Sequence, residues 1–234
     1  MTQKPYLNLG CGRVILPAPK PAHHALVPDA IYDYPYWHNV DRNQADGVDE
    51  CVDLFTYPWP LESDSYDGAL LSHLCEHIPH EIRVHELITP ASDDPYWARY
   101  RVLTADATPE ARRRKQFSQM QDGWFAFFAE LYRVLTPGAM VYILSPYAWS
   151  YGAINDPSHT RLLTPDSFNH SMRPDPDAPF AYETGGLHFE MRDVRMGISP
   201  DYIPMAGNPD MMQRLLNTQL NVASEFYVRL ECIK

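Results

Sequence analysis

A chain of 234 residues with 45% apolar side chains suits one full-core domain, and it holds no run of about 18 apolar residues, so no membrane span is expected. Nineteen basic residues against 30 acidic ones leave a net charge of −11, which repels phosphate backbones and argues against nucleic acid as a bulk partner. The four cysteines, Cys11, Cys51, Cys75 and Cys232, form no CxxC pair, so neither a disulfide frame nor a zinc knuckle is expected. The first residues run straight into a strand pattern without a signal-peptide apolar region, and the expectation is a cytoplasmic protein.

In chain order, 6–9 (YLNL) predicts a short strand ended by Gly10, and 36–41 (YWHNVD) a second one ending in Asp41. Residues 48–53 (VDECVD) alternate as a third, again ending in an aspartate, and 66–72 (YDGALLS) read as a buried fourth. Apolar residues recur at helical spacing over 122–136, with Asp122 as N-cap and Pro137-Gly138 as the stop. A fifth strand, rich in β-branched and aromatic residues, follows at 139–145, and 225–234 alternates as the last. Strands separated by crossovers point to a parallel α/β sheet.

Three stretches stand outside that frame. Residues 13–35 hold five prolines where a first crossover helix is normally found. Residues 79–121 form a long, charged insertion expected to be helical and lid-like, with a basic run at 112–115 that reads as a solvated helix face. Residues 157–210 are expected to be loop-rich.

Gly10 and Gly12 allow a sharp turn and a close ligand approach. The third glycine of a GxGxxG loop is absent, because Arg13, Val14 and Ile15 follow, so a pyrophosphate fits poorly here. Asp41, at the end of the second strand, can accept both hydroxyls of a ribose. Asp53, at the end of the third, can accept from an adenine amino group, with the Leu54 backbone N–H beside it. The plain alternative for each aspartate is a turn or cap residue.

The ordered set LNLGCG, WHNVD, CVDLFTYPWPLESDSYD, LLSHLCEHI, LYRVLTPGAMVYILSP and NDPSHTRLLTPDSF resembles a class I S-adenosylmethionine-dependent methyltransferase of the small-molecule, type 11-like group, over about residues 6–168. The resemblance implies one domain over 1–234: an α/β, Rossmann-like, mostly parallel seven-stranded sheet with helices on both faces and an antiparallel C-terminal strand. It implies S-adenosylmethionine as cofactor. Leu9, Gly10, Cys11 and Gly12 would serve its methionine and ribose side. Asn8 stands where an acidic residue is often found. Asp41 would take the ribose hydroxyls, with Arg42 next to it, while Val52, Asp53 and Leu54 would frame the adenine. Ser72 and His73 would sit beside the sulfonium.

Methyl transfer needs a positioned nucleophile and, for some acceptors, a base. His77 is the preferred base, Glu76 would bind substrate or orient a histidine, and Tyr147 and His159 are further candidates; packing or capping is the plain alternative for each. His73, Cys75, His77, His80 and His85 crowd together, but no HExxH, CxxC or carboxylate triad frames them, and no metal site is expected. The motif [DNS]PP[YFW] and a Pro-Cys nucleophile are both missing, which again argues against nucleic acid. The expectation is methyl transfer to an O or N atom of a small molecule or glycan by in-line displacement, in a chain that allows a homodimer. The alternative is another S-adenosylmethionine-binding protein, either an aminopropyl transferase or a non-catalytic partner subunit.

Overall fold

The computed structural model describes residues 4–80, 83–84, 122–171 and 187–234. Most of the expected lid at 79–121, including the basic run at 112–115, therefore lies outside the described residues, as does 172–186 within the segment expected to be loop-rich. Nine strands and four α-helices are described. The first six strands are β1 (Tyr6–Leu9), β2 (Trp37–Asp41), β3 (Glu50–Cys51), β4 (Thr56–Tyr57), β5 (Tyr66–Ser72) and β6 (Arg83–Val84). There follow α1 (Gly123–Val134), β7 (Leu135–Pro146), α2 (Tyr151–Asn155), α3 (Pro165–Ser171), β8 (Phe189–Ile198), α4 (Pro209–Thr218) and β9 (Ala223–Cys232).

Seven strands form one sheet in the order β3-β2-β1-β5-β7-β9-β8, and β4 pairs with β6 in a small separate ladder. The pairs β3/β2, β2/β1, β1/β5 and β5/β7 are parallel, whereas β9 runs antiparallel to β7 and β8. This is the mostly parallel seven-stranded sheet that the sequence predicts. Its strand order reverses direction at β1, where Leu9 is in register with Val40 of β2 and Leu71 of β5. The carboxyl ends of these strands open on one edge, the place where open α/β sheets bind ligands.

Strand alternation builds two cores. Leu7, Leu9, Ala69, Leu71, Val141, Ile143, Phe226, Val228 and Leu230 face the larger one, which α1 fills with Trp124, Phe127, Phe128 and Leu131. The α1 cap forms as predicted, with the Asp122 side chain accepting from the Trp124 N–H. Leu70, Leu144 and Tyr227 face the other way, onto Leu16, Val27, Ile31 and Tyr32. Those four side chains come from the proline-rich segment 13–35, which covers this face with two short 3-10 turns, Ala22–His24 and Asp29–Ile31.

Several boundaries differ from expectation. The third strand is only Glu50–Cys51, and the fifth begins at Leu135, directly after α1. The segment expected to be loop-rich holds α3, the ten-residue β8 and the first residues of α4. β8 is an outer strand bonded on one side to β9, and most of its side chains are only partly covered, so it lacks a clear apolar alternation. No helix among the described residues is long and apolar enough to cross a membrane.

Candidate functional site

β1 ends at Gly10, whose φ of +66° suits a residue without a Cβ. An added Cβ would stand 2.9 Å from Leu74 Cδ1, so that the turn and the loop after β5 pack without room for a side chain. The Gly10 and Cys11 amides both donate to the Val40 carbonyl, at 2.8 and 3.1 Å. The Gly12 amide donates to Asp41 Oδ2 at 2.9 Å, and the Asn43 amide donates to Asp41 Oδ1 at 2.9 Å. One carboxylate thus ties the glycine turn to the end of β2.

Asp53 orders the next turn, accepting from the Phe55 amide at 3.1 Å and from the Thr56 hydroxyl at 2.8 Å. The turn carries Val52, Leu54 and Phe55 to the sheet edge. A cavity of about 480 Å3 opens there, lined by Gly10, Asp41, Arg42, Asn43, Val52, Asp53, Leu54, Phe55, Leu74, His77, Pro79, Ser158 and Thr160. Its wall is polar at Asp41, Arg42 and Asn43 and apolar at Val52, Leu54 and Phe55, with Leu74 packed against Gly10.

Seven of the residues singled out in the sequence meet at this cavity: Gly10, Asp41, Arg42, Val52, Asp53, Leu54 and His77. Others do not line it. Asn8 is one of these. It lies on the opposite face of β1 from Leu7 and Leu9, and its amide donates to the Val14 carbonyl at 2.7 Å and to Asn39 Oδ1 at 2.9 Å. Asn39 in turn accepts from the Leu16 amide and donates to the Leu16 carbonyl, so the pair pins the proline-rich segment to β1 and β2. Leu9 is a fully buried core residue, and Gly12 adjoins the cavity only through its bond to Asp41. Cys11 is buried, and burial followed by the nearby Asp41 pushes its thiol up to about 11.

Ser72 is held instead by the buried His24, whose Nε2 lies 2.7 Å from its hydroxyl, while His24 Nδ1 lies 2.5 Å from the Tyr32 hydroxyl. His73 takes the left-handed conformation at φ +51° and turns away from the cavity, toward Glu76 and Glu225. Burial alone would lower the His73 imidazole, but the charges of Glu76 and then Glu225 outweigh it and raise it above its ordinary value. Tyr147 is buried in the larger core, which removes it from the cavity, and burial raises its hydroxyl.

The far wall comes from a stretch of chain distant in sequence. α2 is capped by Ser150 and ends at Asn155. Asp156 then accepts from the Ser158 amide at 2.8 Å and from the Ser158 hydroxyl at 2.6 Å, an Asx turn that throws the chain back over the strand-five side. The Thr160 amide docks on the Glu76 carbonyl at 2.8 Å and the Thr160 hydroxyl on the Ile78 carbonyl at 2.8 Å. This places the His159 ring against that of His77, with centroids 4.7 Å apart. Glu76 lies beneath, 2% exposed, accepting from the Ser145 hydroxyl at 3.1 Å. Thus His77 reaches the cavity, while Glu76 and His159 stand directly behind it.

Asn43, Phe55, Leu74, Pro79, Ser158 and Thr160 were missed as wall residues. Phe55 and Leu74 adjoin residues that were singled out, and strand-end position was the signal available for them. Ser158 and Thr160 flank His159 in NDPSHTR, but their return to Glu76 is a long-range contact with no local signature.

No protein-family model and no curated protein matches the chain. Among solved structures it is similar to an S-adenosylmethionine-dependent methyltransferase from Archaeoglobus fulgidus, at 18% identity and TM-score 0.49, over 98% of this chain and 86% of that one. It is also similar to one from Mesorhizobium loti, at 14% identity and TM-score 0.45, over 98% and 91%. A third is the phosphoethanolamine N-methyltransferase 2 of Haemonchus contortus solved with S-adenosylmethionine, at 12% identity and TM-score 0.42, over 100% of this chain and 49% of that one. The strand order of the sheet alone carries the fold class.

Proposed function

We propose that the chain transfers the methyl group of S-adenosylmethionine to an O or N atom of a small molecule or glycan by in-line displacement. The observation that supports this most is the convergence of the Gly10 turn, Asp41 and the 52–55 turn on one cavity beside the β1/β5 switch point. The acidic and apolar ends of that cavity match the hydroxyls and the flat ring of a nucleoside. Asp41 retains lone pairs beyond those taken by Gly12 and Asn43, and it accepts the ribose hydroxyls. Val52, Leu54 and Phe55 enclose the adenine. A dinucleotide fits less well, because the segment after Gly12 presents no α-helix N-terminus to a pyrophosphate.

His77 is the acceptor-side residue in this reading, as the one catalytic candidate on the cavity wall. It acts on the acceptor through the ring nitrogen that its bond to Ser158 leaves free. A second cavity of about 360 Å3, bounded by Trp124, Phe125, Arg161 and Leu163, shares Thr160 with the first and gives the acceptor a place to enter.

Titration calorimetry tests the cofactor. S-adenosylhomocysteine is expected to bind with a micromolar or lower Kd, and Asp41→Ala to weaken it at least about tenfold, the scale of a lost hydrogen-bonded charge. Tighter binding of NAD, or no binding of either sulfur nucleotide, overturns the reading. Release of S-adenosylhomocysteine in the presence of acceptor pools then tests transfer itself.

A further inference from the structure

The rim of the cavity at 75–77 and 156–160 gathers donors of the kind that bind metal. One donor atom from each of Glu76, His77 and His159 lies within 4.8 Å of the other two. Atoms sharing an ion at about 2.1 Å stand about 3–3.5 Å apart, so modest side-chain rotations close the set.

The tautomers favour this chemistry. His159 Nδ1 lies 3.1 Å from the Ala153 carbonyl, an acceptor, so Nδ1 carries the proton. His77 Nδ1 lies 3.2 Å from the Ser158 carbonyl, and the Ser158 hydroxyl gives its hydrogen to Asp156 at 2.6 Å, so Nδ1 is again the protonated nitrogen. Each imidazole has a backbone carbonyl at Nδ1, the outer-shell arrangement that orients metal-bound histidines, and leaves Nε2 without a hydrogen bond among the described residues, that of His159 standing 3.8 Å from Asp156 Oδ2. The third donor is a buried carboxylate. Glu76 Oε2 takes the Ser145 hydroxyl, but Oε1 accepts no hydrogen bond among the described residues, and the nearest cation is the His73 imidazole at 3.4 Å. At that distance His73 makes no geometric hydrogen bond to Oε1, which keeps a lone pair free for a closer cation.

We propose that Glu76, His77 and His159 hold one divalent first-row transition ion at the acceptor side of the cavity. Two imidazoles and one carboxylate suit Zn2+, Fe2+ or Mn2+, whereas Mg2+ and Ca2+ prefer oxygen alone. Three protein ligands leave positions open for a substrate oxygen, and His77, a wall of the cavity, then reaches the acceptor through the ion bound at its Nε2 and not directly. A hydroxyl bound there is acidified, as bound water is. Its proton passes to solvent, its oxygen lone pair forms the bond to the methyl carbon, and the S–CH3 pair stays on sulfur. The ion therefore narrows the acceptor to an alcohol or phenol. This last step rests on the methyl-transfer reading, but the ion site does not.

The test is calorimetry on the chelator-stripped full chain with ZnCl2 and, separately, MgCl2. One Zn2+ per chain is expected at micromolar Kd or below, with Mg2+ at least tenfold weaker. His77→Ala, His159→Ala and Glu76→Gln are each expected to weaken Zn2+ at least tenfold, and His188→Ala, outside the cluster, to leave it unchanged. Absent Zn2+ binding, or binding that survives both histidine changes, overturns the site. Should a variant fail to fold, zinc-edge X-ray absorption on the wild-type chain decides: two imidazoles in the coordination shell support the site, and none overturns it. Titrating S-adenosylhomocysteine into the same samples separates the two proposals. Nucleotide binding without zinc removes the metal alone, and zinc binding without nucleotide removes the methyl-transfer reading alone.

Discussion

At the scale of single residues, His24 shows most clearly how the proline-rich segment shapes the site from behind. It is 1% exposed, between Tyr32 and Ser72, and burial followed by the positive potential of His23, His73 and Lys20 lowers its pKa from 6.5 to about 4. The folded chain therefore keeps His24 neutral down to about pH 4, whereas the unfolded chain protonates it near 6.5. Between those values the unfolded state binds more protons, so stability is full above about pH 6.5 and falls as pH drops through the window, by up to about 3 kcal/mol. Urea denaturation at pH 7 and pH 4.5 should show roughly 2 kcal/mol more acid loss in the wild type than in His24→Gln, which lacks the titrating group. Equal losses would refute the assignment. Asn8 teaches the same lesson about what sequence conceals. Its place beside the glycine turn suggested a ligand contact, but the alternation of β1 points it away from Leu7 and Leu9, toward Val14 and Asn39. Strand alternation held that answer. The partner segment that gives Asn8 its work did not look like structure at all.

At the scale of elements, α1 does more than fill the larger core. Its Glu130 is fully buried and accepts from the Trp59 amide at 2.7 Å and from Arg133 at 2.8 Å, while Arg133 also donates to the carbonyls of Trp59 and Leu61. The helix thus holds the 57–61 chain just behind the 52–55 turn. Glu130→Ala would take the carboxylate from a mostly buried guanidinium and the acceptor from the Trp59 amide, and equilibrium denaturation should report a loss of about 3 kcal/mol. Glu130→Gln keeps an acceptor for the Trp59 amide and should lose less; an alanine variant as stable as wild type would mean the pair contributes nothing net. α1 was legible because Trp124, Phe127, Phe128 and Leu131 recur at helical spacing behind a good cap. β8 was not, since its inward burial rests chiefly on Phe189 and the rest of the strand, flanking a sheet edge, mixes charged and apolar residues on both faces. α4 was hidden by the prolines around it, although Pro209 at its first turn is a normal helix start.

At the scale of the whole molecule, the parallel sheet and the place of its crevice were readable because the Gly10 turn, Asp41 and Asp53 all sit where strands end. What closes the crevice was not, because the return of 156–160 onto Glu76 is fixed by backbone bonds between chain segments far apart in sequence. A ligand in this cavity would touch the ends of β1, β2 and β3, the loop after β5 and the 158–160 return at once. It would therefore bind the assembled fold and not the unfolded chain, which makes its affinity visible as stability. At one hundred times its Kd, a one-site ligand adds about 2.7 kcal/mol. For a chain of this size that corresponds to a rise in Tm of about 5–10 °C. S-adenosylhomocysteine should give this shift in scanning calorimetry, Asp41→Ala should lose most of it at the same concentration, and NAD should give none. A shift of equal size with NAD would place the nucleotide contacts elsewhere than the Gly10 turn, and an undiminished shift in Asp41→Ala would remove the carboxylate from the ribose. The comparison separates those errors because, among the described residues, the Asp41 side chain meets the glycine turn through one hydrogen bond, from the Gly12 amide, so the loss of the carboxylate leaves Gly10 held to Val40.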